Sequence, residues 1–372
     1  MKNHMKSLAD ARPARLDPPG TPPLTFALTE MPEKSRRFRA AALIPAGGLA
    51  AAAAATVAVL VIGSGEAPSG PTPSAAPLTA SQILLTAAEH SSQDHPGTGK
   101  YLLFRTESGT VMTVGSGSST YQMTDRTSNE TWLSRAGTEP TRVISQDLGM
   151  TPTTPADAAA YQAAGSPAQV LVGKPLPTGK LGPGTPAGVA GGARRTSTTD
   201  GANIYALGAT SISVRDLEKL PADPAALRTA LLKNFDGGGS DLPTDREQWL
   251  LGVASTLIAE IPVSGPVRAA AFRLIAGLDG VRPLGVVADQ HGREGQGFAF
   301  TATNAFTGSI EHRFVIDAAT GRALGEESRV LQPGGTTAHF GPGSLLGYTV
   351  VLEQRVTDQR TMDPWGQVRR AG

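Results

Sequence analysis

His90, Asp94 and His95 stand close enough in the chain for imidazole and carboxylate groups to share a divalent metal. The plain alternative is a polar helix exit, and that reading is preferred. Asp236 to Asp241 (DGGGSD) has the oxygen-rich, glycine-rich character of a calcium loop, although a solvated loop accounts for it better. Gly182-Pro183-Gly184 and Gly341-Pro342-Gly343 imitate phosphate-cradling loops, but their prolines remove the amide donors that such loops need. No serine sits in a G-x-S-x-G elbow or an S-x-x-K pair, and neither a P-loop nor an H-E-x-x-H helix is present. The residue types therefore nominate no catalytic residue, no metal ligand and no cofactor. Tyr101, Phe104 and Trp132 are candidates for a ligand groove under a sheet, with core packing as the simpler role. The ligand-binding residues stay unknown at this level.

The elements that would carry such a site divide the chain. Residues 1–39 hold eight Lys or Arg and four acids, a net charge of +4 in a chain of net +1, so the remainder is −3. Ala40 to Gly65 is uncharged, and Arg36, Arg37 and Arg39 precede it. An apolar run longer than about 18 residues can cross a bilayer, and basic residues mark the side left in the cytoplasm. The expected order is a cytoplasmic, mostly disordered basic tail (1–39), a transmembrane helix (40–62) and a Pro/Gly/Ser linker (63–77). An extracytoplasmic α+β domain (78–360) and a disordered C-terminus (361–372) follow. A cleaved signal peptide or a buried Ala-rich helix are the competing readings of 40–62. The chain has no cysteine, which excludes disulfides, thiolate metal sites and an acylated lipoprotein anchor. The outer part has no basic surplus, so nucleic acid is not an expected partner.

Within the outer part, Thr79 and Gln82 have capping-box spacing ahead of a helix. Strand-like runs occur at 100–106, 120–127, 130–134 and 141–146, with Ser128-Asn129 as a hairpin turn. Residues 151–201 lack periodicity and read as a long flexible loop with a local helix near 157–164. Asp223-Pro224, Thr244 with Glu247, and Ser264 mark three helix starts. Strand patterns return at 281–289, 297–303, 312–316, 322–330 and 347–354, with Ala319-Thr320-Gly321 as a turn. Strands, then helices, then strands predict α+β with an antiparallel sheet packed by helices.

Several fragments carry a resemblance: Ala11-Arg12-Pro13-Ala14-Arg15-Leu16, Pro262-Val263-Ser264, Val267-Arg268-Ala269-Ala270, Leu274-Ile275-Ala276-Gly277-Leu278, Val315 to Gly321, and Tyr348-Thr349. Together with the apolar span they resemble an actinobacterial family of uncharacterised single-span membrane proteins, often encoded beside extracytoplasmic-function sigma factors. Ala318 replaces the proline common in that family's hairpin turn. The resemblance implies a role in envelope signalling and brings no site residues with it. The zinc mechanism of some anti-sigma factors needs a Cys, which this chain lacks. In outline the outer domain is also similar to the half-barrel domains of lipoprotein carriers and periplasmic sigma-factor regulators.

The expectation is therefore a single-pass cell-membrane protein whose outer domain binds a protein partner or an apolar ligand, without chemistry of its own. A carrier or sensor of lipid on a concave sheet face, and an unrecognised hydrolase, are the alternatives.

Overall fold

The computed structural model describes residues 78–358, except 95–98, 117–118, 136–138, 200–204 and 239–242. The expected tail, transmembrane helix, linker and C-terminus (1–39, 40–62, 63–77, 361–372) lie outside the described residues. Among the described residues no helix is long and apolar enough to cross a membrane.

The chain runs α1 (Ala80–Gln93), β1 (Tyr101–Ser116), β2 (Ser119–Ser134), β3 (Thr141–Pro152), α2 (Pro155–Ala163), β4 (Gln169–Pro175), β5 (Leu181–Gly188) and β6 (Arg195–Thr199). It continues through β7 (Tyr205–Leu207), β8 (Thr210–Ile212), α3 (Val214–Leu217), α4 (Pro224–Leu232), α5 (Arg246–Ala259) and α6 (Gly265–Ala276). The last part is β9 (Arg282–Ala288), β10 (Glu294–Asn304), β11 (Gly308–Asp317), β12 (Arg322–Pro333) and β13 (Leu345–Thr357). Eleven strands form one antiparallel sheet, with β6-β3-β2-β1-β13-β12-β11-β10-β9 as its main path and β4-β5 attached to β1. The α+β class with an antiparallel sheet holds.

Helix starts follow the local chemistry. Thr79 accepts from the Gln82 amide while the Gln82 side chain accepts from the Thr79 amide, the reciprocal pair expected from the spacing. Asp223 caps α4 ahead of Pro224. The start of α5 is one residue later than the Thr244–Glu247 spacing suggests: Asp245 accepts from the Glu247 and Gln248 amides. A carboxylate is the stronger acceptor at a helix N-terminus, and it displaces the threonine. Ser264 precedes α6 without a side-chain cap bond.

Two expectations are corrected. Ser128-Asn129 makes no turn, because β2 runs unbroken from Ser119 to Ser134 and the β1–β2 hairpin closes between Ser116 and Ser119. The Asn129 side chain, free to drive a turn, instead accepts from Ser145 Oγ at 2.8 Å on the neighbouring strand. Residues 151–201 are no structureless loop but hold α2 and β4–β6. Their pattern escapes periodicity because β5 is mostly exposed on both faces and α2 has no fully buried residue. Backbone pairing holds these elements, and Tyr161 meets Tyr121 with ring centroids 6.1 Å apart.

Alternation along the strands separates two faces. One face carries Phe104, Phe298, Phe300, Phe314, Ile316 and Val351 against α1, α4, α5 and α6, which is the main core. The opposite face carries Arg105, Glu107, Arg126, Glu130, Arg313, Glu327 and Glu353, joined in ion pairs, and Tyr348, whose hydroxyl donates to Glu107. β13 lies in the middle of the sheet between β1 and β12.

Candidate functional site

Strands β1, β2 and β3 each bring residues with period 2 to the face away from the main helices: Arg105 and Glu107, Ser128 and Glu130, Ile144 and Gln146. These six residues, with Leu148, Arg194, His291 and Leu352, line a cavity of about 210 Å³. The β9–β10 turn supplies His291, although β10 is four strands from β1 in the sheet order. Its Nε2 lies 3.3 Å from Glu107 Oε2. The sheet therefore curves far enough to bring its far edge over β1. The turn is tight: Asp289 Oδ1 accepts from the amides of His291 and Arg293, and Gly292 has a φ of 77° that suits glycine.

Each carboxylate in the wall is held by a different set of donors. Glu107 Oε1 accepts from Arg126 Nε and Nη2 (3.1 and 2.9 Å) and from the Tyr348 hydroxyl (3.0 Å). The Tyr348 ring reaches that position by lying over Gly109, its cross-strand partner; a Cβ there would stand 2.4 Å from Tyr348 Cε1. Burial, followed by the Glu107 charge, pushes the Tyr348 hydroxyl up to about 12, so it remains a donor at neutral pH. Glu130 Oε1 accepts from Trp132 Nε1 at 2.6 Å. Glu130 Oε2 is fully buried, has no hydrogen-bond partner and lies 3.8 Å from Arg105 Nε, whose guanidinium is bound to Glu353 at 2.9 Å. Burial raises the Glu130 carboxyl above the usual carboxylate range, and the bond from Trp132 and the Arg105 charge oppose that rise.

The residues nominated from sequence are distributed otherwise. Tyr101 and Trp132 pack edge-on (6.3 Å) with Leu103 and Ile144, whereas Phe104 belongs to the helix-side core. The three share no groove, yet Trp132 fixes Glu130 in the cavity wall. Asp94 caps α1 and pairs with Arg268 and Arg322, His90 is exposed, and His95 lies outside the described residues. Among the described residues no group of three or more His, Asp or Glu is placed to hold a metal. Residues 239–241 of the acidic glycine run lie outside the described residues. Gly182 and Gly184 are inside β5, and Gly343 accepts from Arg329 in the turn before β13. Neither Pro/Gly run is a phosphate loop.

The sequence reading missed Arg105, Glu107, Glu130, Gln146 and His291. The available signal was charge at alternate positions next to large apolar residues in strand-like runs: Arg105 and Glu107 follow Leu103, and Glu130 precedes Trp132. Charges there must meet partners on the same face. Compared with known proteins, the chain matches no family model, no curated protein and no solved structure.

Proposed function

We propose that this chain is a membrane-anchored extracytoplasmic binding module of the cell envelope, with the cavity between β1–β3 and the β9–β10 turn as its binding site. One observation carries the reading: the curved sheet closes a cavity of about 210 Å³ between β1–β3 and the β9–β10 turn, with the Glu107 and Glu130 side chains among those that line it. Concave spaces with a few convergent polar groups are the usual place for a small ligand. The uncharged run at 40–62 behind three arginines supports the anchor and the outward orientation. The basic tail offers a route for reporting occupancy inward, in keeping with the resemblance to proteins encoded beside sigma factors.

The size favours a small ligand over a lipid. About 210 Å³ falls below the range of roughly 300–1,000 Å³ typical of ligand pockets, and the surface exposed to the space is mostly apolar. A binding role also suits the side chains better than catalysis. The His291 Nε2 faces Glu107, and no hydrogen bond joins Ser128 to His291 to make a nucleophile–base pair. The deciding experiment is a C-terminal fusion to a reporter enzyme that works only outside the cytoplasm. Activity on intact cells is expected; activity confined to the cytoplasm overturns the orientation. Deleting residues 1–39 is expected to abolish any inward signal while the outer domain stays folded.

A further inference from the structure

Irregularities in two strands bring leucines to this cavity. In the β2–β3 ladder Arg126 pairs with Gly149 and Thr127 with Asp147, so Leu148 is an extra residue with no partner on β2. In the β1–β13 ladder Arg105 pairs with Glu353 and Thr106 with Val351, so Leu352 is the extra residue of β13. Its neighbours are committed elsewhere, Val351 to the helix-side core and Glu353 to Arg105. A bulge re-aims a side chain and interrupts pairing, and such features gather beside binding sites. Here two bulges, on strands that are not neighbours in the sheet, deliver one leucine each to the lining of a single space, together with Ile144. Leu352 is 36% exposed, so it stands open to that space.

The polar groups around the leucines are engaged with one another. Arg105 is bound to Glu353 at 2.9 Å, and Glu107 accepts from Arg126 and Tyr348 and meets His291 at 3.3 Å. Asn129 accepts from Ser145. The oxygens that lack a donor, Glu130 Oε2 and Gln146 Oε1, are covered by the protein and present no surface to the cavity. What the space exposes is mostly apolar. A charged ligand would give up its water there for side chains already engaged, which is a costly transfer. An uncharged apolar ligand gives up little and removes leucine surface from water. Size narrows the class further. Aliphatic-lined cavities of about 150 Å³ take up benzene, so about 210 Å³ suits a substituted ring or two small fused rings.

Resting on the reading of this cavity as the binding site, we infer that its ligand is a small, uncharged, apolar molecule of about the size of a substituted benzene. Leu148, Leu352 and Ile144 form the contact surface, and the His291–Glu107 contact keeps the β9–β10 turn in the wall. The ion pairs frame the site and hold its shape.

The test is nuclear magnetic resonance of the full-length chain in detergent, with isotope-labelled leucine and isoleucine methyl groups. The probes are toluene and indole, set against benzoate and benzylammonium, which add a charge to a similar ring. Toluene or indole is expected to shift the Ile144, Leu148 and Leu352 methyl signals saturably. Leu85, exposed on α1, reports uptake into the detergent and is not expected to saturate. The two ions are expected to bind about tenfold more weakly or worse. Leu352→Trp and Leu148→Trp fill the space and are expected to weaken toluene to a similar degree. Melting curves show which variant folds, and the wild-type methyl pattern decides where neither does. Ions that bind as tightly as toluene, toluene unaffected in a folded Trp variant, or no saturable shift at the three residues overturns the apolar ligand. Mass spectrometry of small molecules released from the purified wild-type chain, compared with a folded Trp variant, separates the two levels. A charged or polar molecule found only in wild type retires the apolar class and keeps the cavity as a binding site. Nothing released, together with no shift, removes both.

Discussion

Two buried groups on the helix side of the sheet set opposite pH limits to stability. Glu326 on β12 shares its space with Glu260 at the end of α5, and burial followed by the neighbouring carboxylate holds the Glu326 carboxyl well above its usual range. The Thr349 hydroxyl reaches Glu260 Oε1 at 3.3 Å. Because the folded state retains a proton that the unfolded chain gives up, stability declines as pH rises above the ordinary carboxylate value of 4.5. Chemical denaturation at pH 8 is expected to show Glu326→Gln more stable than wild type, with the gap closing near pH 4. His312 works the other way. Burial takes it from 6.5 to about 4, and Ser328 Oγ lies 2.9 Å from its Nδ1. Below pH 6.5 the unfolded chain takes up the proton first, so stability falls toward pH 4 by at most about 3 kcal/mol. His312→Gln is expected to flatten that limb of the stability–pH curve. On the other face Gly109 is the sensitive position. Gly109→Val drives a methyl into the Tyr348 ring and is expected to cost about 1–3 kcal/mol and to loosen the Glu107 cluster, read by urea denaturation.

At the scale of elements, one arginine joins the helices to the sheet. Arg268 on α6 is 3% exposed; it donates to Asp94 at 2.6 Å at the end of α1 and to Gln354 on β13. Arg322, half-exposed on β12, meets the same Asp94 at 3.1 Å. Arg268→Ala is expected to cost about 3 kcal/mol, while Arg322→Ala costs less than about 1 kcal/mol, a contrast measurable by thermal melts. These elements were largely legible beforehand. The helix starts at Thr79 and Asp223 are written in side-chain chemistry three residues deep, and β9–β12 in apolar alternation closed by a glycine turn. Gly321 shows how far that turn is specified. Its φ is 65°, its carbonyl accepts from Ser91 Oγ at 2.8 Å, and a Cβ would stand 2.4 Å from the Ala87 carbonyl of α1. What failed was local as well. Gly and Pro in Leu181–Gly188 read as breakers, yet β5 is an outlying, exposed strand that pairs only with β4, and backbone pairing tolerates them there. The cavity was illegible for another reason. Arg105, Glu130, Gln146, Arg194 and His291 come from five separate stretches, and only the curvature of the sheet assembles them.

For the whole molecule, the order of strands in space departs from their order in the chain. A reading from sequence leaves 347–354 as a closing strand, whereas β13 is central, with β1 on one side and β12 on the other. Removing residues 345–372 takes the middle from the sheet and separates β1–β3 from β9–β12. Circular dichroism is expected to show loss of cooperative melting, in contrast to removal of 361–372 alone. Pairing Tyr101 with Thr357 spans nearly the whole domain, so this contact carries a large loop-closure cost.

During biosynthesis the consequence is one of timing. A ribosome delivers the keystone strand after every other strand of this sheet, and until then the nascent polypeptide presents two raw borders, on β1 and on β12, each able to recruit the wrong neighbour. A chaperone that shelters such borders is expected to govern how much of this protein matures, more than any single buried side chain does.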